Sequence, residues 1–262
     1  MRLRLLTYNV HKCVGGVDRR HDPERVAEVI AHYEPDVVCL QEVAQGSDRF
    51  GDRPQVERLL DDLAHLGLDH HAYFVVHTKR GRGGEYGNAI LSRHPLEGVE
   101  NVCLRIKPKK ARAVLHARCR VQFDDDRTRS VHVFCMHLGL SGIERRYQIR
   151  RFLACGPLER VRARTPVVVA GDLNDVWGEI PRQLGPAGFR GTRRLLATYP
   201  AIAPVRPLDG VYVRGEVELE HLFRSRLDLA RRASDHLPLV ADLRLDADSA
   251  QAGRARSEHG SS

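Results

Sequence analysis

Apolar runs along this chain stop repeatedly on a polar side chain. Residues 3–8 end at Asn9, 37–41 at Glu42, 131–136 at His137, and 167–171 at Asp172 with Asn174 two positions on; Ser234-Asp235-His236 is read the same way and closes the set. A strand buried along its length that ends in a carboxylate, an amide or an imidazole delivers that group to one rim of a sheet. Several such strands make a site. Between these runs the period changes. Asp22-Pro23 reads as an N-cap and first helical position, and Val26, Val29, Ile30 and Tyr33 recur behind it at helical spacing. Pro35 stops that helix before a strand over 37–40, whose following loop carries Glu42, and Val56, Leu59, Leu60 and Leu63 mark a second helix.

From about residue 71 to 123 the texture is β, with strands expected over 72–77, 89–92, 102–106 and 114–123. Asp124-Asp125-Asp126 reads as a hairpin turn into a strand over 130–136. A helix over about 143–161, a strand over 167–170 and a short helix over 177–184 follow. Strands punctuated by helices, with polar groups arriving from both halves, predict an α/β fold: two sheets packed face to face with helices outside. No Gly/Ser/Pro-rich linker interrupts the pattern, so residues 1–245 are expected to form one domain, and 246–262, polar and aperiodic, a disordered tail.

Composition changes this picture in one respect. The formal charge of +8 and pI near 9.4 favour an anionic partner: nucleic acid, a phospholipid surface or a phosphorylated small molecule. Basic clusters fall at Arg80-Gly81-Arg82, 107–112, Arg145-Arg146 with Arg150-Arg151, Arg193-Arg194 and Arg231-Arg232, and a solvated arginine-rich surface explains part of them. The six cysteines are widely spaced without a C-x-x-C pair and read as reduced and structural. No apolar run reaches signal or membrane-spanning length, which makes the cytoplasm the default location.

The groups gathered at the run ends are oxygen donors, two imidazoles and an amide, which suit a hard divalent cation and a phosphate. Glu42 is the first candidate metal ligand, because a carboxylate at the end of a buried strand needs a cation or donor; a salt bridge to an arginine would also serve. Asp172 and Asn174 point the same way on extended backbone, so the carboxylate can handle a water while the amide reaches a phosphate oxygen. A turn-forming Asx pair is the bland alternative. His137 and His236 are the candidate electrophiles for charge on the equatorial phosphoryl oxygens.

Six segments also carry a resemblance: Thr7-Tyr8-Asn9-Val10-His11, Leu40-Gln41-Glu42-Val43, Gly87-Asn88-Ala89-Ile90-Leu91-Ser92, His137-Leu138-Gly139-Leu140, Gly171-Asp172-Leu173-Asn174 and Ser234-Asp235-His236-Leu237-Pro238. In that order they resemble the endonuclease/exonuclease/phosphatase superfamily, over residues 3–243. The resemblance implies a four-layered α/β sandwich, two packed mixed β-sheets flanked by helices, with Mg²⁺ or Mn²⁺ at Glu42 assisted by Asn9 and Asp235. It implies that Asp172 and Asn174 orient water and phosphate, and that Asp209 pairs with His236. Gly210 stands where the family usually has a larger residue. Asn88 resembles a phosphate-contacting or site-shaping asparagine.

Asn9-Val10-His11-Lys12 and Gln41-Glu42-Val43-Ala44 depart from abasic-site endonucleases. The chain resembles instead the branch of sphingomyelinase-like phosphodiesterases and small bacterial members associated with phospholipid metabolism, in which the His137 motif is followed by Glu-Arg-Arg and then Gln, as at Glu144, Arg145, Arg146 and Gln148. Arg145, Arg146, Arg150 and Arg151 would hold an anionic substrate if they face the rim, and would be solvated if they face away. The expectation is a metal-dependent phosphoesterase, monomeric, acting on an anionic phosphodiester, with contact to a phospholipid surface left open. A DNA or RNA nuclease is the alternative, and a silent phospholipid- or RNA-binding module is a third reading.

Overall fold

Strand β1 (Arg2–Asn9) is apolar on both faces because both faces are covered. Leu3 and Leu5 point into a core shared with a second sheet, while Leu6 and Tyr8 point into a core beneath helices. In this computed structural model, which describes residues 1–46, 50, 53–78, 84–123, 127–191 and 195–245, the same logic repeats along the chain. After β1 come α1 (Pro23–Tyr33), β2 (Val37–Gln45), α2 (Gln55–Asp62), β3 (His70–Thr78), β4 (Glu85–Ser92), β5 (Leu96–Cys103), β6 (Ala113–Gln122) and β7 (Thr128–His137). Then follow α3 (Gly142–Leu153), α4 (Gly156–Glu159), β8 (Val167–Asp172), α5 (Ile180–Leu184), β9 (Arg190–Gly191), β10 (Asp209–Arg214), β11 (Val217–Arg224), α6 (Asp228–Ala233) and β12 (Leu239–Leu245).

Two six-stranded sheets result, in the orders β11-β12-β1-β2-β4-β3 and β5-β6-β7-β8-β10-β9. Each is mixed: β1 is parallel to β2 and β7 to β8, and the other pairings are antiparallel. Leu3, Leu5, Val37 and Ile90 meet Leu115, Val133, Cys135 and Val168 between the sheets. Val26, Ile30, Leu59 and Ala230 cover the first sheet; Ile149, Phe152, Ile180 and Leu184 cover the second. This is the expected α/β sandwich of two packed mixed sheets flanked by helices.

Several local expectations need correction. The single helix over 143–161 is two, α3 and α4, because the chain leaves helical geometry at Ala154 and Cys155 and Pro157 starts the second. Helix α5 begins at Ile180, with Asp175 accepting from the backbone N–H groups of Glu179 and Ile180. The strand expected over 102–106 lies earlier, at β5, and strand β2 runs on to Gln45, so Glu42 sits inside a strand and not on a loop. The Asp124-Asp125-Asp126 turn, the Arg80-Gly81-Arg82 and Arg193-Arg194 clusters and the 246–262 tail lie outside the described residues. No helix among the described residues is long and apolar enough to cross a membrane.

Candidate functional site

Strand direction explains how distant residues reach one rim. Asn9 closes β1 opposite Gln41 of β2, and His137 closes β7 opposite Asp172, the end of β8; both pairs are parallel, so their ends coincide. Antiparallel partners contribute their beginnings. Asp209 opens β10 opposite Asp172, and β12 opens with Leu239 opposite Thr7, which brings Ser234-Asp235-His236 to the rim just before that strand. The expectation that this tripeptide ends an apolar run is therefore wrong: it precedes one, and reversal of strand direction puts it in the same place.

A hydrogen bond from Asn9 Nδ2 to Asp172 Oδ2 at 3.0 Å joins the two sheets at the rim. His137 Nε2 lies 3.2 Å and His236 Nε2 3.9 Å from the same oxygen. Behind it, His236 Nδ1 is 2.8 Å from Asp209 Oδ2, and Thr198 Oγ1 donates to that oxygen at 2.5 Å. Ser234 donates through Oγ to the Asn9 carbonyl at 2.7 Å and accepts from the His236 N–H at 3.3 Å, fixing the loop. Its hydroxyl is therefore a brace. Gly171, just before Asp172, has φ +150°, and a Cβ there would lie 1.9 Å from the Met136 carbonyl, so only glycine lets β8 approach β7 this closely.

Burial sets the electrostatics. It pushes Asp172 up to about 6, helped by Asp209 and opposed by His236, Asn9 and Arg112. His236 would be lowered by burial, yet Asp209 and Asp172 raise it to about 10. His137 is driven well below its ordinary value by burial, with Arg112 adding to the effect. The site thus pairs a charged imidazolium with a neutral imidazole, on either side of a carboxylate that ionises near neutrality. Burial would raise Glu42, but nearby positive charge holds it well below the carboxylate range. Since His137 is neutral, that charge comes from Lys12, which also hydrogen-bonds Glu42, and from Lys110.

Two groups of residues invite a cation, and only one suits it. Ligand atoms of Asp172, Asp209 and His236 lie within 4.8 Å of one another. However, a histidine must be unprotonated to ligate, and His236 is held charged with Nδ1 against Asp209. Glu42 fits better: its side chain is 12% exposed, ionised and in contact with the ammonium of Lys12, a cation already standing against that carboxylate. Glu42 takes up φ 59° where the β2–β4 register shifts between Leu40 and Val43, a bulge that turns its side chain out of the ladder. Asn9 Oδ1 accepts from the His11 N–H at 3.1 Å and keeps a second lone pair. Asp235 is partly exposed, 3.8 Å from His11 Nδ1.

One predicted site residue, Asn174, is anchored differently from expectation. Asn174 is left-handed at φ 49° rather than extended; its N–H binds Asp172 Oδ1 at 3.0 Å and its Nδ2 donates to the Leu138 carbonyl at 3.0 Å. The Asx turn and the site are thus the same feature, since the turn holds the Asp172 carboxylate in place. Asn88 Nδ2 donates to the Ala113 carbonyl at 3.2 Å on the opposite sheet, so this nitrogen shapes the site wall. Arg145 is buried beneath the loop after β7, donating to the Leu140 carbonyl at 2.7 Å, while Arg146, Arg150 and Arg151 are exposed.

Sequence reasoning missed Thr198, Arg112, Lys12 and Tyr86 as parts of the site. Lys12 and Lys110 each hold their ammonium over the Tyr86 ring, 4.7 and 5.1 Å from its centroid. The basic run over 107–112 was the visible signal for Lys110 and Arg112; Thr198 had none.

Comparison with known proteins agrees with this fold. The model of the Endonuclease/Exonuclease/phosphatase family matches residues 6–236. The Escherichia coli K12 protein named uncharacterized protein YbhP is 28% identical over 257 residues, covering 92% of this chain and 96% of that protein. A crystal structure of an endonuclease/exonuclease/phosphatase from Beutenbergia cavernae superposes with a TM-score of 0.77 at 28% identity, over 94% of this chain and 72% of that one. Danio rerio TDP2, solved with a single-strand DNA product, shares the fold at a TM-score of 0.65 and 20% identity, over 93% of this chain and 99% of that one.

Proposed function

This chain belongs to the endonuclease/exonuclease/phosphatase family, whose named activities all break phosphoesters, and on that premise we propose that it is a divalent-metal-dependent phosphodiesterase of the sphingomyelinase-like and small bacterial branch. The observation that carries the reading is Asp172, a buried carboxylate within 3.0 to 3.9 Å of Asn9, His137 and His236. A carboxylate poised near neutrality beside an imidazolium that stays charged at neutral pH is suited to take a proton from water while charge builds on a phosphate.

In the proposed reaction Asp172 accepts the proton of a water attacking phosphorus in line with the leaving oxygen. His236, held charged by Asp209 and oriented by Thr198, offsets charge on the phosphoryl oxygens, and the neutral N–H of His137 donates to one of them. Glu42, with Asn9 and Asp235, would hold Mg²⁺ or Mn²⁺, which when bound supplies Lewis-acid polarisation of a phosphoryl oxygen. Lys12, Lys110 and Arg112 favour an anionic substrate. Ser234 has no nucleophilic part, because its hydroxyl is bonded to Asn9 and lies next to His236 in sequence rather than meeting it across the site.

A panel of bis-aryl phosphate, aryl phosphomonoester, phospholipid and oligonucleotide, assayed with Mg²⁺, with Mn²⁺ and with chelator, tests the reading. Metal-dependent cleavage of diesters ahead of the monoester supports it. Preferred cleavage of the oligonucleotide would move the assignment to the nuclease alternative. Silence towards every member would leave a binding module.

A further inference from the structure

Exposed apolar side chains are not spread evenly over the surface. Among the described residues, every large hydrophobic that is more than half exposed lies on a loop or first helical turn around the candidate site: Val17, Leu140, Ile143, Trp177, Ile202 and Val205, at 54 to 84%. The others so exposed as to be conspicuous elsewhere, Met1, Phe74, Val99 and Phe223, stay below half. Hydrophobics scattered singly over a surface need no explanation, but six collected at one rim do.

The loops that carry them are tied together. Arg145 donates to the Leu140 carbonyl and reaches Glu179, two residues from Trp177, at 3.7 Å. The Ala201 N–H donates to the Asp235 carbonyl at 2.7 Å, which seats the Ile202 loop on the His236 loop. On the other side Gly16 packs so closely on Asp235 that a Cβ would lie 2.8 Å from its Cα, placing Val17 next to the same loop. These tips share the rim with the exposed lysines Lys107, Lys109 and Lys110, whose loop leads into Ala113, the partner of His137. Two acids near the tips are paired, Asp18 with Arg25 at 2.6 Å and Glu179 with Arg145 at 3.7 Å.

We propose that this rim docks on the surface of an anionic phospholipid bilayer, so that the site opens onto lipid phosphodiesters. The proposal deepens the phosphodiesterase reading above and rests on it for the substrate class alone. The occupant follows from the form of the surface. Separate tips on four loops offer little shape complementarity to a folded partner, whereas an interface of acyl chains and headgroups accepts each tip independently. Lysines beside the apolar tips complement anionic headgroups, and an exposed indole is suited to the depth between water and hydrocarbon.

The chain supplies its own reporter, because Trp177 is its single tryptophan. Wild type and the variant Ile143→Ser/Val205→Ser are mixed with vesicles of equimolar phosphatidylglycerol and phosphatidylcholine, and with pure phosphatidylcholine vesicles. The expected result is a shift of Trp177 emission to shorter wavelength on the anionic vesicles and a smaller one on the neutral vesicles. The serine variant should partition about tenfold more weakly while cleaving a soluble bis-aryl phosphate at the wild-type rate. Unchanged emission with no co-sedimentation would overturn the proposal, as would a wild-type dimer that the serine variant converts to monomer, or equal partitioning of both proteins. Binding needs no turnover, so protein that docks without hydrolysing sinks the phosphodiesterase reading alone, and protein that hydrolyses without docking sinks this one alone.

Discussion

The two ends of the strands differ in how they treat charge. At the far rim four carboxylates have arginine partners: Arg4 meets Asp242 at 2.8 Å, Arg93 meets Asp36 at 3.2 Å, Arg2 meets Glu220 at 3.1 Å, and Arg129 and Arg164 both meet Glu216. Clefts at that rim are lined by these pairs. At the site rim Asp172 has no lysine or arginine partner among the described contacts, only imidazoles, an amide and an N–H. Arginine pairs occupy their carboxylates, and at Glu216 Arg164 and Arg129 hold the carboxyl below its ordinary value, while the neighbours of Asp172 leave it able to exchange a proton near neutral pH. A cleft alone therefore does not locate chemistry in this fold; the partners of the carboxylates do.

Substitutions at the two rims should separate sharply. Asp172→Asn keeps the shape and removes the proton acceptor, so turnover should fall by about 10³-fold with an unchanged circular dichroism spectrum. A variant within a few-fold of wild type would erase the distinction. Glu42→Gln should weaken Mg²⁺ or Mn²⁺ binding by about 10- to 100-fold, read by titration calorimetry, with turnover partly restored at saturating metal.

Asp209→Asn acts through His236. The protonated form of His236 is the useful one, so activity is lost as pH rises through its pKa, about 10 in the intact site. Without the Asp209 charge that limb of the pH profile of kcat/KM should move toward neutral. The acid limb, set by protonation of Asp172 as pH falls through about 6, should shift to lower pH, because the Asp209 charge helps to raise Asp172. An alkaline limb that does not move would remove Asp209 from its positioning role. Smallest of all, Arg2→Ala with Glu220→Ala at the far rim should leave turnover unchanged and cost less than about 1 kcal/mol of stability, measured by urea unfolding, because that pair is exposed.

Part of this was legible in the sequence. Runs that bury both faces of a strand are continuous, so β1, β2, β7 and β8, with the polar residues near their ends, could be read directly. Strands β10 and β11 and helix α6 were not anticipated: β11 buries only Val217 fully, mixes partly buried with exposed positions beyond it, and has little apolar content. Strand direction was also hidden. Ser234-Asp235-His236 was assigned to the right rim for the wrong reason, because antiparallel pairing is a property of the assembled sheet and not of any segment within it. The same holds for Thr198, which meets Asp209 only when the loop before β10 folds back, and for Arg112, which meets His137 only through β6–β7 pairing. Asn174 shows a further limit. Two residues spaced for a common face of extended chain form an Asx turn instead, since the side chain of Asp172 captures the N–H of Asn174.

The central claim is that this rim activates water to attack phosphorus. Hydrolysis of a bis-aryl phosphate in ¹⁸O-enriched water with Mg²⁺ tests it most directly, with the products examined by mass spectrometry. The account predicts one ¹⁸O atom in the aryl phosphate product and none in the released phenol. No turnover with either ion, or label in the phenol, would contradict it.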